Sequence, residues 1–130
     1  MTNLNKKSVP LLHDLDLENS GGRAGVRDIA LLDSAIACAY QTFDGVELYQ
    51  SVEEKAARLC YGLISNHAFV DGNKRIGILV MLTFLKINNV DVKSSDEDLI
   101  KIGYGTANST MGYKEILKWI NDNKQKELEK

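Results

Sequence analysis

The chain has 130 residues, the size of one ordinary globular domain, and 44% of them are hydrophobic while 26% are charged. This balance excludes a collagen-like, coiled-coil or wholly disordered protein, and it allows a core that needs neither disulfides nor a structural metal. The formal net charge of −2 is not the strongly basic charge of a dedicated nucleic-acid-binding protein, so we expect no direct nucleic-acid partner.

The two cysteines, Cys38 and Cys60, lie in helix-patterned apolar stretches and provide neither a disulfide framework nor a paired-cysteine metal site. No apolar segment typical of a signal peptide follows the N-terminal lysines, and no uncharged apolar run is long enough to cross a membrane. We therefore expect a cytoplasmic protein with no membrane partner. We also expect a single domain over residues 1–130, with its core over about 11–122 and a polar tail over 124–130.

The first third of the chain predicts two helices. Pro10 occupies a position that suits the first turn of a helix, and leucines continue the pattern to about Glu18. Gly21 and Gly22 end this pattern before Asp28, which is a good N-cap for a second helix.

Residues 41–50 separate the second helix from a third. An Asp44-Gly45 turn lies between two short segments with aromatic and branched residues, which predicts a loop or at most a small hairpin. Ser51 and Glu54 then form a capping box, in which Ser51 is the N-cap and Glu54 is the third helical residue. We expect the third helix to start there.

The second half predicts a buried helix followed by two amphipathic helices. Residues 76–85 contain no charge, and a helix that is apolar on all sides belongs inside a domain, so we expect a central helix over 74–87. Ser94 and Glu97 match a second capping box, and a final amphipathic helix covers residues 113–120. The predicted fold class is all-α, a compact domain around one central buried helix with at most a small flap.

The segment from His67 to Arg75 concentrates polar chemistry between two apolar helices. Backbone N–H groups at a helix N-terminus attract anions, and Gly72 allows the close approach of a ligand. Lys74 and Arg75 add cations for phosphate, and Asp71 is a candidate Mg²⁺ ligand beside that phosphate. Histidines titrate near neutral pH, which makes His67 a candidate general base. Transfer of a phosphorus group from a nucleotide to an alcohol uses these groups.

The same residues also have structural interpretations. A lone histidine such as His67 is often a hydrogen-bonded residue between helices, and Asp71-Gly72-Asn73 alone is typical of a turn that caps the next helix. The presence of the complete set within nine residues favours the functional interpretation.

The string His67-Ala68-Phe69-Val70-Asp71-Gly72-Asn73-Lys74-Arg75 resembles the signature of the Fic/Doc superfamily, and specifically of its Doc (death-on-curing) branch of toxins. The resemblance covers about residues 11–122. Outside the motif it extends to Gly21-Gly22, Gly25-Val26-Arg27-Asp28, Leu32-Asp33-Ser34-Ala35, Thr42-Phe43 with Leu48-Tyr49, Lys55-Ala56-Ala57, and Thr83-Phe84-Leu85 with Asn88.

This resemblance implies a role for each motif position. Fic enzymes transfer AMP to a target hydroxyl with a histidine base, an acidic Mg²⁺ ligand, an anion hole that contains Gly and Asn, and an arginine on the distal phosphate. By position these roles fall on His67 as the catalytic base, on Asp71 as the metal ligand, and on Gly72, Asn73 and Arg75 as nucleotide-binding residues.

Lys74 stands where Fic motifs carry a second glycine, as it does in Doc-like proteins, and it joins the implied nucleotide-binding set. In the Doc branch the resemblance implies an inverted ATP, whose γ-phosphate is transferred to a threonine of a translation factor, elongation factor Tu, so that translation stops. Ile78 replaces a further arginine of Fic motifs, which weakens an AMP-transferase interpretation. AMP transfer stays open as the alternative, and a non-catalytic interaction module is a second one.

The resemblance also implies two protein contacts. The inhibitory helix pattern of the superfamily is absent from this sequence, so inhibition would come in trans from a Phd-like antitoxin. Thr42, Phe43, Asp44 and Gly45 align with a flap that docks the target segment, while a surface loop is the alternative interpretation. Together these features predict the toxin of a type II toxin-antitoxin system.

Overall fold

A computed structural model describes residues 3–4, 8–20, 25–67, 69 and 72–125, with the backbone alone at 16–20. These residues form six α-helices and one hairpin, which confirms the predicted mostly helical fold. In chain order the elements are α1 (Ser8–Ser20), α2 (Ile29–Ala39), β1 (Thr42–Phe43), β2 (Val46–Glu47), α3 (Val52–Asn66), α4 (Asn73–Ile87), α5 (Asp96–Ala107) and α6 (Tyr113–Asn123). The glycine pair at 21–22 and residues 126–130 of the predicted tail lie outside the described residues.

Local sequence patterns start the helices as predicted, with one shift. Asp28 caps α2 by accepting a hydrogen bond from a backbone N–H of the first turn at 3.1 Å. Ser51 and Glu54 form both bonds of the capping box of α3. The prediction that Ser94 caps α5 is wrong by one residue, because the Ser95 hydroxyl accepts the backbone N–H three positions further on.

Residues 41–50 contain a small hairpin. Its two-residue turn holds Asp44 and Gly45 at φ values of 53° and 78°, the left-handed region that such tight turns require. The antiparallel register pairs Thr42 with Glu47 and Phe43 with Val46.

The core lies between α3 and α4, which cross closely. Gly77 of α4 permits this approach, because a Cβ at that position would lie 2.5 Å from the Ile64 side chain of α3. Helix α3 also packs against α2, α5 and α6, while α4 packs against α1 and α5. Helix α4 is therefore central, but it shares this position with α3. It is also not buried on every side, since Ile78, Leu79 and Leu82 are only half-buried on the side that faces α5.

Cys60 lies in the core, and burial raises the pKa of its thiol to about 12, so it acts as a packing residue rather than a nucleophile. Cys38 is half-buried and unpaired. Among the helices of the described residues, none combines the length and the hydropathy needed to span a membrane.

Candidate active site

The predicted motif lies in the connection between α3 and α4, residues 67–72, which we call the motif connection. His67 caps the C-terminus of α3 in the left-handed conformation (φ 50°, ψ 49°) and is exposed. Phe69 is buried, and Gly72 precedes α4 with φ 74°. An exposed histidine and a helix start therefore lie at the two ends of a short segment that carries a buried ring between them.

A segment before α2 holds the motif connection from outside. The Arg27 guanidinium donates hydrogen bonds from Nε and Nη2 to the His67 carbonyl oxygen, at 2.9 and 2.7 Å. Its neighbour Val26 forms an isolated antiparallel bridge with Phe69. Two points of the connection are therefore attached to residues that are remote in sequence.

The Asn73 side chain holds the connection from the helix side. Its Oδ1 accepts a hydrogen bond from the Phe69 backbone N–H, and its Nδ2 donates to the Phe69 carbonyl, both at 3.0 Å. The acceptor end and the donor end of the amide are thus both engaged by one residue of the backbone. The structure gives Asn73 a role in fixing the loop, whereas its contact with a nucleotide stays a prediction.

The Phe69 ring rests on His13 of α1. The two rings stack with centroids 4.0 Å apart and planes 18° apart, and His13 is 1% exposed. Gly72 leaves room beside this stack, because a Cβ there would lie 3.5 Å from His13 Nε2 and 3.3 Å from Arg75 Nη2. The sequence suggested no role for His13, and the structure makes it the support of the motif connection.

The N-terminus of α4 has the features of an anion site. Gly72 supplies no side-chain cap, the first turn contains no acidic residue, and Lys74 and Arg75 in that turn are exposed. Backbone N–H groups in a first turn lack partners within the helix, and the helix dipole makes this end positive. Lys74 and Arg75 add side-chain cations to the backbone donors at this end, a combination that suits an anion. Donors and positive charge therefore converge beside the motif connection.

A groove of about 640 Å³ between α4 and α5 is lined by the same two cations, Lys74 and Arg75. Lys74 Nζ lies 5.1 Å from the centre of the Tyr104 ring, a cation–π distance. The other walls are mostly apolar and include Ile78 and Ile100. A groove of this size and lining suits a small molecule with an aromatic part and an anionic part.

Comparison with known proteins agrees with the resemblance of the motif to the Fic/Doc superfamily. The profile of the Fic/DOC family matches residues 3–85. The chain belongs to the Fic/DOC family. A protein named Toxin Doc, from Mycolicibacterium smegmatis, is 47% identical over 72 residues, which are 55% of this chain and 55% of that protein. The chain therefore spans about half the length of the curated relative that it matches.

The metal ligand expected of the Fic/DOC motif, Asp71, lies outside the described residues, as do Ala68 and Val70. In the part of the chain that is described, no three His, Cys, Asp or Glu side chains gather into a metal cluster. Asp71 directly precedes Gly72 in the sequence, and a single carboxylate there suits Mg²⁺, because this ion commonly takes one or two carboxylates and completes its shell with phosphates and water. The assignment of Asp71 stays a prediction.

The hairpin of this Fic/DOC chain is anchored at the other end of α3. Lys55, in the first turns of α3, is 1% exposed and donates to the Tyr49 carbonyl, and its Nζ lies 3.2 Å from a Glu47 carboxylate oxygen. His67 caps the opposite end of this 15-residue helix, and a helix of that length spans about 22 Å. The structure thus brings the described motif residues together at the motif connection and the start of α4, and it attaches the base of the hairpin to the first turns of α3.

Proposed function

We propose that the protein is the toxin of a type II toxin-antitoxin system that transfers the γ-phosphate of ATP to a Ser or Thr hydroxyl of a translation factor, with elongation factor Tu as the acceptor. The observation that carries this proposal is an exposed His67 that the motif connection joins to a helix N-terminus with no side-chain cap and two exposed cations, Lys74 and Arg75. Membership in the Fic/DOC family supports a protein-modifying transferase with a nucleotide donor. The name of the relative from Mycolicibacterium smegmatis supports the role of a toxin.

His67 is the catalytic base in this proposal. Its exposed position lets a hydroxyl on the surface of another protein approach the imidazole. The imidazole takes the hydroxyl proton while the hydroxyl oxygen attacks the γ-phosphorus, and the bond from that phosphorus to the bridging oxygen of ADP breaks. The products are a phosphorylated protein and ADP.

The N-terminus of α4 is the phosphate site. Backbone N–H groups from Gly72 onwards and the side chains of Lys74 and Arg75 balance the charge on the phosphates. Asp71 would hold Mg²⁺, which neutralises phosphate charge when it is bound. Asn73 contributes by fixing the backbone that presents these donors.

Lys74 supports γ-transfer over AMP transfer. A side chain and a positive charge replace the glycine that leaves the Fic loop open, and this side chain lies against Tyr104 at the edge of the groove. The phosphates consequently cannot occupy the same space as in a motif with glycine at this position. AMP transfer through the α-phosphorus is the alternative.

The hairpin is the proposed docking surface for the acceptor. Phe43 is 76% exposed, and Val46 and Leu48 beside it are also exposed. The base of the hairpin is held by Lys55 of α3, and His67 caps the C-terminus of the same helix, so one helix carries both the proposed docking surface and the proposed base. A Phd-like antitoxin that binds in trans is the proposed inhibitor.

The deciding experiment follows two isotopic labels. Purified protein is incubated with Mg²⁺, elongation factor Tu and ATP labelled at the γ-phosphate in one tube and at the α-phosphate in the other. Label from γ alone is the expected result. Label from α would replace the proposal with AMP transfer, and label from neither, in elongation factor Tu or in a lysate, would favour a non-catalytic module.

His67→Ala is the matched variant. It should keep the far-UV circular dichroism of the parent, because the residue is exposed, and it should lower the transfer rate by about 10²–10⁴-fold. Expression of the parent should arrest growth, and expression of the variant should not. Growth arrest by a folded His67→Ala protein would contradict the assignment of the base.

A further inference from the structure

Arg27 contacts the backbone of the candidate base from a segment 40 positions away in sequence. We propose that Arg27 is a positioning residue, which holds the left-handed cap at His67 and thereby aims its imidazole at the acceptor hydroxyl. This inference rests on the proposed function of His67, but it concerns a residue to which neither the motif nor the comparisons give a role.

The conformation of His67 needs such a contact. Residues with a Cβ rarely adopt φ 50°, and most helices that end in this way use glycine at the left-handed position. The His67 carbonyl also lies at the C-terminal end of α3, where carbonyl groups lack partners in the helix and carry partial negative charge. The two donors of one guanidinium, at 2.9 and 2.7 Å, satisfy that oxygen with a charge-assisted pair.

The backbone is what orients the imidazole. His67 is exposed, so packing by neighbours does not fix its side chain, and the rotamers open to a side chain depend on its φ and ψ. A change of His67 from the left-handed to the extended region would change the direction of its Cα–Cβ bond, and with it the position of the imidazole. Loss of the Arg27 contact therefore acts on catalysis through geometry rather than through charge on the substrate.

Arg27 itself projects from a well-fixed segment. Asp28, the next residue, caps α2 through its side chain, and Val26, the preceding residue, pairs with Phe69. Arg27 and Val26 thus attach the motif connection at positions 67 and 69, respectively, on either side of residue 68. Because Val26 pairs through its backbone, substitution of the Arg27 side chain leaves this second attachment in place.

The test compares Arg27→Met and Arg27→Lys with the parent. Lys118→Met is the control, since it removes an exposed cation on α6 that pairs only with a neighbouring exposed carboxylate. With fully folded protein, we expect Arg27→Met to lower kcat for transfer by about 10–100-fold, while KM for ATP changes less than about twofold because Lys74 and Arg75 remain. Arg27→Lys, which retains one donor group, should recover part of kcat, and Lys118→Met should match the parent.

A second measurement does not depend on activity. The chain has only two histidines, so selective ¹³C labelling resolves the His67 Cα and Cβ resonances, whose shifts report φ and ψ. In Arg27→Met these shifts should move away from left-handed values. Parent-like kcat or parent-like His67 shifts in a folded Arg27→Met protein would overturn the proposal. If the parent itself transfers no phosphate, the proposed function fails, and the shifts alone then decide whether Arg27 sets the conformation of His67.

Discussion

The motif connection is held by side chains rather than by regular secondary structure. Asn73 engages both polar groups of the Phe69 backbone, Arg27 engages the His67 carbonyl, and the Phe69 ring stacks on His13. Two of these contacts fix Phe69 and the third fixes the His67 carbonyl, so both residues are held in place before any ligand binds. Because these residues are ordered in advance, the free energy of ligand binding is not used to order them and can instead lower the barrier of the proposed reaction.

Asn73→Ala tests the loop-fixing role of that amide. The substitution removes two hydrogen bonds to Phe69, so we expect the free energy of unfolding in urea to fall by about 1–3 kcal/mol and kcat to fall by about tenfold or more. Asn123→Ala is the control, because that amide donates at 2.8 Å to the Trp119 carbonyl at the end of α6. The control should lose stability and keep kcat. Parent-like kcat in folded Asn73→Ala would show that the loop does not need this amide.

Gly72→Ala and Gly45→Ala form a matched pair. Both glycines have left-handed backbones, with φ 74° and 78°, so each substitution should cost about 1–2 kcal/mol of stability through strain. A Cβ at Gly45 has no neighbour within 4 Å, whereas a Cβ at Gly72 lies 3.3 Å from Arg75. We therefore expect only Gly72→Ala to raise KM for ATP, measured by initial rates. Equal KM values for the two variants would remove Gly72 from the phosphate site.

Among the helices of the described residues, α3 connects the two surfaces proposed to be functional. Its C-terminus presents His67, and its first turns anchor the hairpin through Lys55. A hairpin of two strands is at best marginally stable in water by itself, so this anchor and the packing of Tyr49 against Tyr113 keep it in place. Helix α3 therefore joins the residue proposed as the base to the hairpin proposed as the docking surface.

Lys55→Met tests this anchor. The methionine retains the apolar length of the lysine stem and removes the bonds to Tyr49 and Glu47, and the half-exposed Glu47 carboxylate remains hydrated. We expect faster hydrogen exchange at Leu48, whose N–H bonds to the Gln41 carbonyl at 3.0 Å, with unchanged exchange in α4. KM for the protein acceptor should rise and KM for ATP should not.

Lys118→Met, which removes an exposed lysine of α6, again serves as the control and should leave the hairpin unchanged. Hairpin exchange that stays at the parent rate in Lys55→Met would mean that Tyr49 and its aromatic neighbours suffice to hold the hairpin.

Contacts between residues close in sequence explain which elements the sequence could predict. The cap at Asp28 and the turn at Asp44 depend on residues at most three positions away, so their patterns are visible in the chain. The bond from Arg27 to His67 and the groove beside Tyr104 arise only when remote segments meet. The apolar run at 76–85 predicted a helix buried on all sides, and hydropathy alone could not tell a core face from the wall of a groove.

The C-terminal segment, residues 124–125, links the first turn of α3 to the segment before α5. Lys124 forms an isolated antiparallel β-bridge with Val92, and Gln125 donates its backbone N–H to the Asp91 carbonyl at 2.7 Å. The backbones of the first two residues of the predicted polar tail are therefore paired. The Lys124 ammonium also lies 2.8 Å from a carboxylate oxygen of Glu53. One ion pair therefore ties the end of the described chain to α3, the helix that His67 caps.

This ion pair predicts how stability depends on pH. Burial by itself disfavours the charged form of Glu53, but hydrogen bonds from Lys124 and the backbone, with the charge of Lys124, outweigh burial and hold the pKa of Glu53 below its ordinary value near 4.5. A carboxyl with a lower pKa in the folded chain adds stability above its unfolded pKa and loses it as pH falls through the folded pKa. Glu53→Gln should therefore reduce the free energy of unfolding at neutral pH by about 1 kcal/mol or less.

Urea unfolding of Glu53→Gln and the parent, from about pH 7 down to about pH 3, checks this expectation, because the difference should shrink towards zero at the acidic end. It should also shrink at high salt, since Lys124 is partly exposed and its charge is screened. Asp122→Asn, which breaks the exposed pair with Lys118, should change stability little at any pH. A difference for Glu53→Gln that stays constant with pH would mean that the side chain contributes through packing rather than through its charge, and that the C-terminal segment is held by its backbone pairing alone.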